Sequence, residues 1–302
     1  MALPLGEVQD HLLGQLARGQ LLLLVGAGAS RWAGLPSWRE VAITLAEELV
    51  PVLRERVPQA GRRFAPPRRD DAVGMETLLR IPETYRALLG AERLESRLAQ
   101  LFDTGGVDPT RLPLHRELVR LARYVPAVYT TNFDDLLERS FAAAGWRVQV
   151  VASAEDLRGW RFDPSGKGRY SPRFPVYKLH GTLNRPGSMV IGESDFLRRS
   201  DLASHPIDLR FCSDVVGREL LLVGYGFQDP NLRWIWAKLR DLAVPPRAWF
   251  LELGRSSDLD RVSAELEGME RIDLEVTDPV HPPELLAFLG SLAARCEREL
   301  GD

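Results

Sequence analysis

The 302-residue sequence has only two cysteines, Cys212 and Cys296, far apart and in no C-x-x-C pair. That excludes a disulfide framework and a four-cysteine zinc module, and it fits a reducing compartment. Charge imbalance is also scarce. Thirty-nine Lys and Arg against 42 Asp and Glu leave a net charge of -3, so no overall basic excess points to nucleic acid or an anionic membrane. No run approaches the ~20 apolar residues that cross a bilayer, and the first seven residues lack the basic start of a signal peptide. The expectation is a cytoplasmic protein that binds neither membrane nor, directly, nucleic acid. Two nucleotide fingerprints are incomplete as well. Gly166-Lys167 lacks the earlier glycine and the Ser or Thr of a P-loop, so the segment from Asp163 to Gly168 reads as a turn. After Gly26 and Gly28, Arg31 stands where the dehydrogenase pattern G-x-G-x-x-G needs its third glycine. No acidic residue ends a second strand about 20 residues later, because Glu47 and Glu48 fall inside a helix. Hydride transfer is therefore disfavoured.

What is present is an ordinary core-forming composition, 45% hydrophobic and 27% charged. Leu21 to Val25 is a short, continuously apolar run ending in glycines, the pattern of a buried parallel strand. Similar runs recur at Ala127 to Tyr129, Val148 to Val151, Val176 to Leu179, Leu220 to Val223, Ala248 to Leu251 and Ile272 to Val276. Helical patterns separate most of them: Phe133 to Ala144, Asn231 to Leu242, Leu259 to Gly268 and Pro283 to Leu300, with an opening helix from Val8 to Arg18. Strands alternating with helices predict an α/β fold with a doubly wound parallel, Rossmann-like sheet in one domain over 1–302. From about 51 to 121 the pattern is helical only, as in Met75 to Leu89 and Glu92 to Phe102, and reads as an inserted helical subdomain. Within it, the Pro-rich, charged stretch from Arg62 to Asp71 reads as an exposed loop.

The chemistry-bearing residues cluster at strand ends. Gly26-Ala27-Gly28-Ala29-Ser30 turns the first strand into its helix, where small residues let backbone N–H groups approach a pyrophosphate, the alternative being a tight turn needing positive φ. Thr131-Asn132-Phe133-Asp134 follows the second strand. It can start a helix, with Asp134 and Asp135 facing the dipole, or hold a ligand. His180-Gly181 ends another strand, where the imidazole is either structural or an acid-base group. Gly224-Tyr225-Gly226 allows close approach of a ribose or phosphate, while Asp229 before Pro230 is first of all a helix cap. His11, His205 and His281 read as surface or structural, and His115 as packing or capping. Trp234 and Trp236 are too close to share a helical face, so one suits the core and the other a partner surface.

Five motifs in this order, Gly26 to Ser30, Gly34 to Arg39, Thr131 to Asp134, His180-Gly181 and Gly224 to Phe227, resemble the NAD-binding motifs of the sirtuin-like, silent-information-regulator family. The resemblance spans almost the whole chain, although Thr131 stands where the family has Gln. It implies contacts to NAD+ from Gly26, Ala27, Gly28, Ser30, Trp38, Arg39, Thr131, Gly181, Gly224, Tyr225 and Gly226. By the same resemblance Asn132 holds the nicotinamide ribose and a water, Asp134 meets the carboxamide or supports the loop, and His180 is the general base. These groups act without a metal on an oxocarbenium-like transition state. Because the zinc cysteines are missing, the resemblance points to the bacterial antiphage-defence branch, which hydrolyses NAD+ to nicotinamide and ADP-ribose. Such an activity must be held off in healthy cells, which implies a homo-oligomer and a separate sensor such as a HerA-type ATPase or a short Argonaute. Two other functions remain open: a module that senses NAD or ADP-ribose without cleaving it, and a zinc-free deacylase.

Overall fold

In the computed structural model the described residues are 4–158, 173–199, 205–225, 229–241, 246–252, 262, 265–274, 276–278 and 280–301. The turn expected at 163–168, Gly226 and half of the helix expected at 259–268 lie outside them. The elements run α1 (Leu5–Ala17), β1 (Leu21–Val25), α2 (Ala27–Ser30), α3 (Trp38–Arg56), α4 (Pro58–Arg63), α5 (Met75–Leu89), α6 (Ala91–Leu101), α7 (Pro113–Leu121), β2 (Val128–Thr130), α8 (Leu136–Ala143), β3 (Val148–Val151), α9 (Ala154–Arg158), β4 (Phe174–Lys178), α10 (Glu193–Arg198), α11 (Pro206–Val216), β5 (Glu219–Val223), α12 (Pro230–Arg240), β6 (Ala248–Glu252), β7 (Met269–Asp273) and α13 (Pro283–Glu299).

The seven strands form one sheet in the order β3-β4-β2-β1-β5-β6-β7. Every pairing is parallel. The chain starts in the middle, builds outward through β2 to β4, then returns to β5 on the other side of β1. Strand order reverses there, and open α/β sheets bind ligands outside the carboxyl ends at such a point. Because both faces are covered, β1 is apolar at every position and splits by its two-residue period. Leu21, Leu23 and Val25 join the core under α1, α7 and α13, while Leu22 and Leu24 join the core under α11 and α12.

A third core belongs to the helical subdomain between β1 and β2. Leu45, Leu49, Leu78, Tyr85, Leu94 and Leu98 from α3, α5 and α6 bury against one another and against Phe133 and Leu136 from the sheet side. Position 51 lies inside α3, whose start is fixed at Trp38 by a capping box. Ser37 Oγ accepts from the Glu40 N–H at 3.3 Å, and the Ser37 N–H donates to Glu40 Oε2 at 2.7 Å. Such a cap is worth about 1 kcal/mol. Arg62 and Arg63, read as loop from their charge, close α4 instead, and the irregular stretch begins at Phe64.

Two further boundaries differ from the periodicity. The helix read from Phe133 starts at Leu136, because Asp134 turns its carboxylate back into the structure ahead of the first turn. The strand read as Ile272 to Val276 is Met269–Asp273, paired residue for residue with β6. Apolar Ile272, Leu274 and Val276 carry a period of two that fits either frame, and only the partner strand fixes which residues pair.

Candidate functional site

Four carboxyl-end turns, after β1, β2, β4 and β5, converge on a cavity of about 370 Å³. Asn132, Asp134 and His180 all line it, as do Ala27, Gly28, Ser30, Trp38, Arg39, Thr131, Gly224 and Tyr225. Gly26 and Gly181 do not. Gly181 sits at φ +79, and a Cβ there would meet the Ser188 carbonyl oxygen at 2.1 Å, so glycine is required by the loop packed over it. Gly26, Gly28 and Gly224 answer to one another. A Cβ on Gly26 or Gly28 would lie 2.7 Å from the Gly224 carbonyl oxygen, and the Gly28 N–H donates to that oxygen at 2.8 Å. These glycines let the turns after β1 and β5 interlock, and the Gly28 N–H is spent on that lock rather than offered to a phosphate.

Asn132 is held on both sides. Its N–H donates to Thr130 Oγ1 at 3.0 Å, and Thr130 Oγ1 in turn donates to the Val25 carbonyl at 2.8 Å. Asn132 Nδ2 donates to the Gly26 carbonyl at 3.1 Å and to Ser30 Oγ at 3.0 Å. Since a carbonyl can only accept, this orientation of the amide is fixed and leaves Oδ1 as the remaining acceptor. That oxygen is buried and meets no partner among the described residues. Ser30 Oγ then donates to Asp134 Oδ2 at 2.7 Å, and Asp134 Oδ1 accepts from the Leu136 N–H at 3.1 Å. Both Asp134 oxygens thus brace the loop, and the residue stands ahead of α8, which starts at Leu136.

Beneath the loop lies a feature that sequence reasoning missed. Lys178, the last residue of β4, is fully buried; its Nζ donates to the Asp134 carbonyl and to Glu138 Oε1, the latter at 2.7 Å. Burial raises the Glu138 carboxyl above its ordinary range, with the Lys178 charge only partly opposing. An isolated lysine in an apolar strand was the available signal.

His180 follows two residues later and is 7% exposed. Its carbonyl accepts from the Val190 N–H at 3.0 Å, and its ring meets Phe196 of α10 edge-on at 5.5 Å. The preceding carbonyl, of Leu179, is gripped by buried Arg199, which also donates from Nε to Asp208 at 3.0 Å. His180 Nε2 lies 2.7 Å from Asp229 Oδ2. The contact is close but off the line of a ring N–H bond, so Nε2 has no well-aligned partner. Asp229 does cap α12, its Oδ1 accepting from the N–H groups of Asn231 at 2.8 Å and Leu232 at 3.3 Å. Burial works against this carboxylate, yet the His180 charge and the two cap bonds outweigh it and hold the group below the usual carboxylate range.

The far wall is apolar and comes from the helical subdomain, α10 and the loop before it, with Met75, Leu78, Leu79, Phe102, Ile191 and Phe196 contributing. Helical periodicity showed that such residues exist, but not that they face the strand ends. Trp38 lines the same wall edge-on to Phe133 at 6.3 Å, its Nε1 buried without a partner among the described residues. Arg39 lines the cavity too, but its guanidinium donates to the carbonyls of Asp71 at 2.8 Å and Val73 at 3.3 Å, fastening the loop after α4. An ion-pair cluster ties α5 to α10: Arg86 bonds both Asp195 oxygens at 3.0 and 2.9 Å, and Glu83 accepts from the Ser194 N–H at 3.1 Å.

The remaining histidines stand apart from this chemistry. His11 pairs with Glu219 at 2.8 Å, His205 sits 3.2 Å from Arg199, and His281 meets the Arg31 carbonyl at 3.1 Å. Trp236 is 2% exposed, whereas Trp234 is half-buried with Lys238 Nζ 3.4 Å from its ring centre.

The family model of the SIR2-like domain matches residues 126–270, a span that takes in Asn132, Asp134, His180 and Gly224. The NAD(+) hydrolase ThsA of Acinetobacter baumannii is 26% identical over 231 residues, 76% of this chain and 41% of that protein. Defense-associated sirtuin 2 of Bacillus subtilis is 23% identical over 228 residues, 74% of this chain and 20% of that protein. The chain therefore spans less than half the length of these relatives. A solved Sir2 enzyme chain overlays on 96% of this chain at 14% identity and a TM-score of 0.44, too loose to bear on the fold or the chemistry. The match to the SIR2-like domain thus falls on the strand ends that carry Asn132 and His180, and the relatives named NAD(+) hydrolase and defense-associated sirtuin align over about three quarters of this chain.

Proposed function

We propose that this chain is an NAD+ glycohydrolase, in which water replaces nicotinamide on the ribose of NAD+ to give ADP-ribose, nicotinamide and a proton. One observation carries the reading: Oδ1 of Asn132, buried and without a partner among the described residues, lies on a cavity that His180 also lines. Breaking the glycosidic bond builds positive charge on the ribose, and a fixed amide oxygen with a nearby base is suited to orient the water and take its proton. The apolar wall and Trp38 suit the flat nicotinamide ring, and the Trp38 Nε1 donor suits its carboxamide. Asp134 acts through the loop it braces. The relatives named as NAD(+) hydrolases support this reaction.

A relative named defense-associated sirtuin 2 supports a role in defence, and we place that role against phage and in the cytoplasm, where NAD+ would be drawn down. We further propose that the active form is a homo-oligomer held in check by a separate sensor, a HerA-type ATPase or a short Argonaute. The test is to incubate the protein, alone and with the product of its adjacent gene, with NAD+ and to follow nicotinamide. Release that is lost on Asn132→Ala or His180→Ala, with folding intact, is the expected result. No release in either setting sinks the reading, and release that requires an acylated peptide identifies a deacylase instead.

A further inference from the structure

The carboxylate of Asp229 has two oxygens with different employment. Oδ1 is occupied by the N–H groups of Asn231 and Leu232 at the start of α12, which pins the side chain to a rigid element. Oδ2 is left facing His180 Nε2 at 2.7 Å, with both side chains less than a tenth exposed. A helix cap needs one acceptor oxygen, and Asn or Ser supplies it as well as Asp does. The cap alone therefore does not explain why a second, charged oxygen is aimed at the one histidine in the cavity. A carboxylate so placed selects the tautomer with its proton on the near nitrogen and favours the imidazolium that forms when the far nitrogen accepts a proton. The poor alignment does not oppose this, because such bonds tighten when substrate binds.

We propose that Asp229 is a positioning residue for His180: it keeps the neutral imidazole protonated on Nε2, frees Nδ1 as the basic atom and stabilises the imidazolium during turnover. The role rests on the glycohydrolase reading. In the step it assists, a water oxygen bonds to the ribose carbon as the carbon–nitrogen bond to nicotinamide breaks. The bonding pair leaves with nicotinamide, and the water proton passes to His180 Nδ1 and then to solvent.

Asp229→Asn tests it, because the amide oxygen can keep the cap and place an NH2 group against Nε2. That donor converts Nε2 to an acceptor and drives the ring proton to Nδ1. Imidazole 15N NMR on the full chain should show the neutral His180 proton on Nε2 in the wild type and on Nδ1 in Asp229→Asn. Turnover of NAD+ should fall on the order of 100-fold or more, with KM within about threefold, as expected for an imidazole in the wrong tautomer. Asp229→Ser, which keeps a hydroxyl cap, should fall similarly in kcat while retaining the wild-type unfolding temperature within a few degrees. A wild-type proton on Nδ1, or the same tautomer in Asp229→Asn, overturns the proposal whatever NAD+ does, as does wild-type kcat in both variants. Absence of nicotinamide release from the wild type would instead refute the glycohydrolase reading, and the tautomer measurement separates the two failures.

Discussion

His115 makes the stability of this chain depend on pH. Its ring is fully buried in α7, and neither nitrogen has a partner among the described residues. Burial drives its pKa down to about 4, with the Asp134 charge only weakly opposing. Since an unfolded histidine titrates near 6.5, the unfolded chain binds the proton first as pH falls. The contribution is fully present above about pH 6.5 and is lost between there and about pH 4, amounting to about 3 kcal/mol. Urea unfolding at a series of pH values should show that loss, and His115→Leu should flatten it. Gly181 sets a second residue-scale limit. Gly181→Ala pushes a methyl into the Ser188 carbonyl at a positive φ, so it should destabilise the protein by about 2 kcal/mol or more in chemical denaturation. Activity in such a variant reports the shape of the loop after β4 and not a contact to substrate.

Among the elements, the junction of β4, α8 and the loop before it rests on the Lys178–Glu138 pair. Removing one partner leaves an uncompensated charge in the interior, so Lys178→Met should cost about 3–5 kcal/mol by urea unfolding. The double variant Lys178→Met with Glu138→Leu should recover a large part of that loss, because no charge is then stranded. A smaller recovery would mean that the Lys178 bond to the Asp134 carbonyl outweighs the pair itself. Sequence periodicity identified β4 and α8 but placed Phe133 to Asp135 inside the helix. Local preference favours Asp there, and the competing partner, Ser30, lies more than a hundred residues away in sequence. The same holds for Asp229, readable as a cap from its place before Pro230, whereas its second oxygen acquires a neighbour only because the turns after β4 and β5, strands separated by two others in the sheet, converge on one cavity.

For the whole molecule, the helical subdomain and the sheet enclose the cavity together, so a bound dinucleotide should stabilise both as one unit. With His180→Ala, which should bind NAD+ without turning it over, NAD+ at 100 times its Kd should add about 2.7 kcal/mol to unfolding, seen as a concentration-dependent rise in Tm. An unchanged Tm would argue that the cavity does not take the dinucleotide. The sequence by itself determined the alternation of strands and helices, the helical break in it, and the strand-end placement of Asn132, His180 and the glycine turns. Those features are local: apolar runs, turn residues and caps are written within a few positions of one another. Only the tertiary structure decided that Gly26, Gly28 and Gly224 interlock, that Arg39 fastens a loop, that a buried lysine supports Asp134 and that Asp229 faces His180. Each of these joins segments distant in sequence, and their meeting is set by how the whole sheet and its helices pack rather than by any one segment.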